Sequence, residues 1–170
     1  MTKQTKFILA IALQMVIVFA IVIFKVSVLS GGTDVLLRIE PVDPRDMLRG
    51  DYATFQYSNI SNLDSYIFGG QQIGNGDTVY VVLRQSRKYW MAQNVQKTKP
   101  LNGEIALKGK VVSVGDSRIR VVYGIEEYFI PEGKGQGFSF FNKEAAARVV
   151  VDENGNAVLK QIYVDDKPWP

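Results

Sequence analysis

A dense run of charged residues near position 45 could bind an anion. Arg45 and Arg49 alternate there with Asp43, Asp46 and Asp51. Guanidinium groups bind carboxylates and phosphates through forked hydrogen bonds, so the two arginines are candidates for a small-anion site. The same side chains could instead stabilise a turn, with the aspartates accepting backbone N–H bonds and pairing with the arginines. The structural interpretation is favoured because exposed charge pairs in turns rarely have a separate role.

A second segment, Tyr123–Gly135, is rich in glycine and carboxylates and includes Gly124. Glu126, Glu127 and Glu132 could act as general acid and base or as hard oxygen ligands for calcium. Their neighbours, which include Pro131 and Gly133, indicate a sharp turn of the chain. The spacing matches no calcium loop, so no metal site is predicted. A carboxylate pair for glycan hydrolysis would require this segment and the first one to meet in space.

Two residue types that carry much of enzyme chemistry are absent. The chain has no cysteine and no histidine. Disulfides, thiolate metal sites, cysteine nucleophiles and histidine-based triads are therefore excluded. No spacing nominates a serine–lysine dyad, and no glycine-rich phosphate loop of a nucleotide-binding type occurs. The sequence thus predicts no catalytic residue and no cofactor.

The net charge of +3 belongs to the N-terminal segment. Lys3, Lys6 and Lys25 precede every acidic residue, and the rest of the chain carries equal numbers of basic and acidic side chains. A neutral remainder does not favour nucleic-acid binding. The two lysines before the apolar run, set against the single Lys25 near its other end, favour an N-terminus inside the cell and an exported remainder.

The apolar run itself predicts one membrane-spanning helix over Phe7–Leu29. Every residue from Phe7 to Phe24 except Gln14 is apolar, and the run is long enough to cross a hydrocarbon core of about 30 Å. A cleaved signal peptide remains the alternative, although its apolar core is usually shorter, at about 7–15 residues. The predicted organisation is a cytoplasmic stub at 1–6, the anchor at 7–29, a linker at 30–34 and an extracytoplasmic domain at 35–170.

The sequence of the exported part predicts strands separated by turns. Apolar and β-branched runs predict strands over Val35–Ile39, Tyr52–Tyr57, Thr78–Arg84, Tyr89–Val95, Glu104–Val114, Arg118–Tyr123, Val149–Val151 and Val158–Val164. The strong helix formers within Ser139–Arg148 predict a single short helix, and Tyr66–Gly76 is expected to be a loop. Consecutive hairpins favour a mainly β fold, either an antiparallel sandwich or a small partly open barrel, preceded by the transmembrane helix.

The segment Gly50–Tyr57 resembles the signature of the GDYXXLXY family, with Asp51 and Tyr52 completing the opening triplet. The lead-in from Asp43 to Asp46 is similar to that family too. So is the later segment that holds Gly124, Glu126, Tyr128, Pro131, Glu132 and Gly133. Phe55 departs from the family's leucine, an apolar exchange that leaves the strand prediction intact. The resemblance implies a one-pass bacterial membrane protein, encoded beside multi-spanning membrane proteins, and it carries over no catalytic residue.

A noncatalytic role follows as the leading expectation. The chain is predicted to be a membrane-anchored extracytoplasmic binding or assembly module that associates with an integral-membrane partner. Two alternatives remain open at this point. One is an envelope hydrolase that uses a carboxylate pair, and the other is a sensor that binds a small anion through Arg45 and Arg49.

Overall fold

Helix α1 begins the computed structural model, which describes residues 2–41, 48–49, 52–101, 103–130 and 143–169. The helix spans Lys3–Gly31, and the Thr2 hydroxyl caps it by accepting a hydrogen bond from the Thr5 N–H at 3.3 Å. Along its whole length only Val28 is buried. A helix that is apolar on every face and unpartnered has the length and composition of a membrane span. The prediction of one apolar N-terminal helix is confirmed.

The helix joins the β domain through a single residue, Gly32. Ser30 and Gly31 belong to the helix and Thr33 already belongs to the first strand. The connection is therefore shorter than the linker predicted at 30–34. A Cβ atom at Gly32 would lie 2.6 Å from Cγ1 of Val150 and 2.8 Å from the carbonyl oxygen of Val28. Because no side chain fits there, glycine is needed for the close approach of the helix end to the domain.

Twelve strands and one 3₁₀ helix follow the α-helix in the described part of the chain. The strands are β1 (Thr33–Pro41), β2 (Leu48–Arg49), β3 (Tyr52–Tyr57), β4 (Asn62–Asp64), β5 (Thr78–Ser86), β6 (Tyr89–Gln96), β7 (Ala106–Val114), β8 (Arg118–Val122), β9 (Glu127–Phe129), β10 (Ala145–Val151), β11 (Ala157–Val164) and β12 (Lys167–Trp169). The 3₁₀ helix, Ser65–Phe68, lies between β4 and β5 and partly replaces the loop predicted over Tyr66–Gly76.

The strands form two antiparallel sheets. One has the order β12-β11-β10-β1-β3-β2, with β9 also paired to β3, and the other has the order β4-β8-β7-β5-β6. The first sheet curls into a half-barrel and the second nearly closes. Alternate residues of β3, namely Ala53, Phe55 and Tyr57, are buried, as expected where one face of a strand packs on a core. The predicted fold class, a mainly β sandwich or small partly open barrel after an N-terminal helix, is confirmed.

The helix predicted within Ser139–Arg148 is wrong over its described part, because Ala145–Arg148 lies in β10. This strand is central: it pairs with β1 on one side and with β11 on the other. The helix preference of alanine amounts to less than about 1 kcal/mol per residue, and two ladders of hydrogen bonds override it. The three alanines are buried, and Val149–Val151 continues the strand.

The predicted hairpins are confirmed, and the shortest strands were missed. β5–β6, β7–β8 and β10–β11 pair as consecutive antiparallel hairpins, as their turn signals indicated. β2, β4, β9 and β12 contain only two or three residues each. A strand of that length has no measurable alternation of apolar and polar residues, so only pairing with a distant segment reveals it.

Candidate functional site

About half of the predicted site residues lie outside the part of the chain that the structure describes. These are Asp43, Arg45, Asp46, Gly50, Asp51, Pro131, Glu132 and Gly133. Arg49 and Tyr52 are described through their backbone, which pairs β2 with β3 by placing Arg49 opposite Tyr52. Tyr57, Gly124, Glu126 and Tyr128 are fully described, and all four belong to one region.

The two sequence motifs meet in space. β3, from the first motif, pairs directly with β9, from the second, with Ala53 opposite Tyr128 and Thr54 opposite Glu127. The Phe55 N–H extends this contact by donating to the carbonyl oxygen of Glu126 at 3.0 Å. We call the contact between β3 and residues 123–129 the motif junction.

Glu126 is bound to the backbone of its own turn. Its carboxylate accepts hydrogen bonds from the N–H of Tyr123 at 2.5 Å and from the N–H of Ile125 at 2.9 Å. Gly124 makes this geometry possible because its φ of +76° lies in the left-handed region that favours glycine. Both carboxylate oxygens are therefore used to close a turn.

Two tyrosine hydroxyls close the motif junction from inside. Tyr57 donates to the carbonyl oxygen of Ile125 at 2.5 Å, and Tyr123 donates to the carbonyl oxygen of Ile60 at 2.5 Å. Burial, and secondarily the negative charge of Glu126, raises the pKa of both tyrosines well above the usual value of 10.0. The hydroxyls are thus held protonated as donors to buried carbonyl groups, which is a structural task.

Tyr128 has a packing role in the same region. Its half-buried ring lies 6.1 Å from the ring of Trp169, centroid to centroid, and the planes are tilted by 37°. This contact links β9 to β12, at the far edge of the first sheet. Aromatic pairs at such a separation stabilise a core beyond the area they bury.

A cavity of about 440 Å³ opens beside the motif junction. The polar side chains that line it include those of exposed Thr54, Arg120 and Glu127 and of half-buried Gln56. Glu127 makes no side-chain hydrogen bond to another described residue, whereas its neighbour Glu126 is fully engaged. Among the described residues, no three carboxylates come close enough together to hold a metal ion.

A second, larger cavity lies beside the tip of the β5–β6 hairpin, and the two sequence motifs did not predict it. Its volume is about 790 Å³, and we call it the hairpin groove. Its lining consists of Arg38, Ser58, Asn59, Ser86, Arg87, Lys88, Tyr89, Trp90, Met91 and Glu144. These residues come from β1, the turn after β3, the tip of the β5–β6 hairpin and the residue before β10.

A network of hydrogen bonds holds one wall of the hairpin groove. The ammonium of Lys88 lies 3.0 Å from Asp166 and 3.2 Å from Glu144, and the Tyr89 hydroxyl donates to Glu144 at 2.6 Å. The pKa of Glu144 is lowered by the hydrogen bond from Tyr89 and, to a smaller extent, by the one from Lys88. The pKa of Lys88 is raised by its hydrogen bonds to Asp166 and Glu144. Glu144 therefore stays ionised, and its charge is already shared between two partners.

Two guanidinium groups of the hairpin groove have no such partner. Arg38 and Arg87 are exposed, and neither forms an ion pair or a side-chain hydrogen bond with another described residue. Trp90 is half-buried beside them, and Met91 is 38% exposed. The groove thus combines free positive charge with an apolar wall, which is typical of a binding site.

The sequence contained one signal for this site. Two basic residues, Arg87 and Lys88, stand directly before Tyr89, Trp90 and Met91, and together they end a predicted turn and begin a predicted strand. A basic hairpin tip followed by aromatic residues is a candidate binding loop. The other lining residues are distant in sequence, so pairing of the strands alone brings them to the groove.

A model of the GDYXXLXY protein family matches residues 14–162, and the chain belongs to this family. The match begins inside α1 and ends in β11, so it includes both sequence motifs and the hairpin groove. Neither a curated protein nor a solved structure matches the chain.

Proposed function

We propose that this protein is a membrane-anchored extracytoplasmic module that binds or helps assemble an integral-membrane partner. The observation that carries the proposal is the short connection between the helix and the domain. An apolar helix exposed along its length is followed, after Gly32 alone, by the first strand of the domain. A domain on so short a tether stays within reach of the membrane surface, where a partner must also present itself.

The contact between helix and domain supports the same proposal. Val28, in the last turn of α1, is only 2% exposed, and Gly32 packs tightly against Val150. The end of the helix is therefore part of the domain's packing and holds the two in a defined relation. Such an arrangement suits a module that must present one face towards a neighbouring membrane protein.

An exposed apolar residue near the end of the helix supports the proposal of such a face. Leu101, in the loop between β6 and β7, is 97% exposed. It lines a cavity of about 480 Å³ together with Gly31 and Thr33, at the junction of helix and strand. A single exposed leucine is common on protein surfaces, but here its position would bring it to the interface where a membrane partner lies.

The two alternative functions receive less support. In a hydrolase, Glu126 would need a free carboxylate, and both of its oxygens accept backbone hydrogen bonds. The other carboxylates expected for the hydrolytic pair, Asp43, Asp46, Asp51 and Glu132, and Arg45 of the proposed anion sensor lie outside the described residues. The binding module has the stronger support because its observations lie among the described residues.

The orientation can be tested with single cysteines, because the chain contains none of its own. Thr2→Cys and Asp166→Cys each introduce one exposed thiol, at opposite ends of the chain. In intact cells a membrane-impermeant maleimide should label the cysteine at 166 and reach the one at 2 only after lysis. The reverse pattern would contradict the extracytoplasmic domain, and labelling of both in intact cells would contradict the anchor.

The partner can be tested by photo-crosslinking in native membranes. A photo-reactive residue at Leu101 should crosslink to a membrane protein that remains in the membrane after alkaline washing. The same residue at Lys160, on the exposed face of β11, is the matched control and should not give that product. If neither position gives a membrane product, or if both give the same one, the proposed face is wrong.

A further inference from the structure

We propose that the hairpin groove binds an oxyanion, carboxylate or phosphate, that is attached to a flat apolar group. The oxyanion would lie between Arg38 and Arg87, and the apolar group would lie on Trp90. This inference does not depend on the membrane partner proposed above, because all of its residues belong to the domain.

The charge of the groove favours an anion. Arg38, Arg87 and Lys88 line it, and Glu144 is the one acidic residue of the lining. Glu144 already accepts from Lys88 and Tyr89, and Lys88 also contacts Asp166, outside the lining. The positive charge of Lys88 is thus compensated locally, whereas that of the two arginines is left for a ligand.

Arginine in this setting recognises planar oxyanions in particular. The guanidinium presents a rigid fork of donors that matches the geometry of a carboxylate or a phosphate. Glu144 is the acidic residue whose pKa the charge of Arg38 affects, and it forms no hydrogen bond with that guanidinium. An incoming oxyanion would therefore not have to displace an ion pair between Arg38 and a described residue.

The apolar wall sets the second requirement for the ligand. Trp90 is half-buried and Met91 is more than a third exposed, so each presents apolar surface to the groove. A flat group on the indole ring would gain the stacking and burial that a bare inorganic anion lacks. The volume of about 790 Å³ lies within the usual range for small-molecule sites, about 300–1,000 Å³.

The backbone around the groove is held in conformations that most residues avoid. Four non-glycine residues in the described part of the chain have a positive φ: Asn59, Arg87, Asp165 and Asp166. Two of them line the groove, and the two aspartates bond to its wall through Glu144 and Lys88. Asparagine and aspartate tolerate this region, but Arg87 at +54° does not adopt it readily. Such positions often cluster at binding sites, where the structure fixes a side chain in place.

The experiment uses the full chain in micelles of a neutral maltoside detergent, which contains no phosphate. Phenyl phosphate is the probe, and inorganic phosphate and phenol are the two comparison compounds. Trp90 reports binding through its fluorescence, because the other tryptophan, Trp169, is only 6% exposed. We expect saturable quenching by phenyl phosphate, and much weaker effects of phosphate alone and of phenol alone.

Arg38→Gln and Arg87→Gln should each weaken phenyl phosphate about tenfold, since each loses charge-assisted hydrogen bonds. The matched control is Arg120→Gln. It removes the same charge from another exposed arginine, which makes no ion pair with a described residue and lines the cavity beside the motif junction. Its affinity for the probe should equal that of the unchanged protein. A second measurement, the thermal unfolding midpoint, should be unchanged in all three variants, so a loss of binding is not a loss of fold.

Three results would overturn the proposal. The first is the absence of saturable quenching by phenyl phosphate. The second is binding of inorganic phosphate as tight as that of phenyl phosphate, which would remove the apolar requirement. The third is an equal loss of binding in Arg120→Gln, or no loss in the two groove variants, since either would place the anion elsewhere.

Discussion

The motif junction and the hairpin groove differ in what their polar side chains contact. At the motif junction, Glu126 and Tyr57 bind backbone groups of the domain itself, at 2.5–2.9 Å. In the hairpin groove, the guanidinium groups of Arg38 and Arg87 form no ion pair or hydrogen bond with another described residue, and Trp90 is half-buried beside them. The described part of the region that carries the family's signature thus stabilises the fold. The arginines that are available to bind a ligand lie in a different region. A recognisable motif can mark a structural need as readily as a site.

The largest expected effect comes from Glu126→Ala at the motif junction. Two backbone N–H groups would lose a charged acceptor in a half-buried turn, so the free energy of unfolding should fall by about 2–4 kcal/mol. Guanidinium denaturation, followed by tryptophan fluorescence, measures this change. Glu127→Ala, one residue further along and exposed, is the control and should change stability by less than about 0.5 kcal/mol. Equal effects of the two would show that the turn does not depend on its carboxylate.

Removing a buried hydroxyl should have the next largest effect. Tyr57→Phe leaves the carbonyl oxygen of Ile125 without its donor, and Tyr123→Phe does the same to Ile60. Each substitution should lower the free energy of unfolding by about 1–3 kcal/mol in the same denaturation experiment. Tyr66→Phe, at a ring that is 77% exposed, should have no measurable effect. The comparison between the two regions weakens if all three variants are equally stable.

The same two tyrosines predict a loss of stability at alkaline pH. Their pKa values are raised in the folded protein, chiefly by burial, so above pH 10.0 the unfolded chain releases protons that the folded one retains. The stability that the two protonated tyrosines contribute is fully present below pH 10.0. Above that pH, each tyrosine should lower the free energy of unfolding by about 1.4 kcal/mol per pH unit.

Denaturation midpoints between neutral pH and about pH 11, recorded with the tyrosinate absorbance, would measure this dependence. Tyr57→Phe should make it shallower. If all eight tyrosines ionised near the ordinary tyrosine pKa without unfolding, the buried position of the two hydroxyls at the motif junction would be contradicted.

The smallest expected effect belongs to the hairpin groove. Arg38→Gln and Arg87→Gln should each change the free energy of unfolding by less than about 0.5 kcal/mol, because neither guanidinium forms an ion pair or a hydrogen bond with another described residue. The measurement is the same denaturation experiment as for Glu126→Ala. A loss of 2 kcal/mol or more, on the order expected for a structural charge, would show that the arginines support the fold and would remove the contrast between the two regions.

Much of the fold could be predicted from local sequence. The apolar run of the first helix needs no partner to be recognised, and the alternation of Ala53, Phe55 and Tyr57 identifies a strand with one buried face. The turn at Asn154-Gly155 identifies the hairpin between β10 and β11. These features depend on neighbours within a few residues, which is the range over which the sequence is informative.

The candidate site was less predictable. The sequence identified Glu126 and Gly124 as important, but not whether the carboxylate faces a ligand or its own backbone. That distinction depends on a φ angle and two hydrogen bonds. Arg38 belongs to no motif, and it meets Trp90 of the basic and aromatic hairpin tip only because β1 and the β5–β6 hairpin converge.

Local patterns and motifs were sufficient to predict the apolar N-terminal helix, the charge-balanced remainder, most of the long strands and the family. Tertiary structure alone decided that Ala145–Arg148 is a central strand, that the two motifs pair, and that the free arginines lie in a separate groove. The physical reason is the range of the interactions. Hydrophobic periodicity and turn chemistry act between near neighbours, whereas strand pairing and cavity formation join residues far apart in the chain and override weak local preferences.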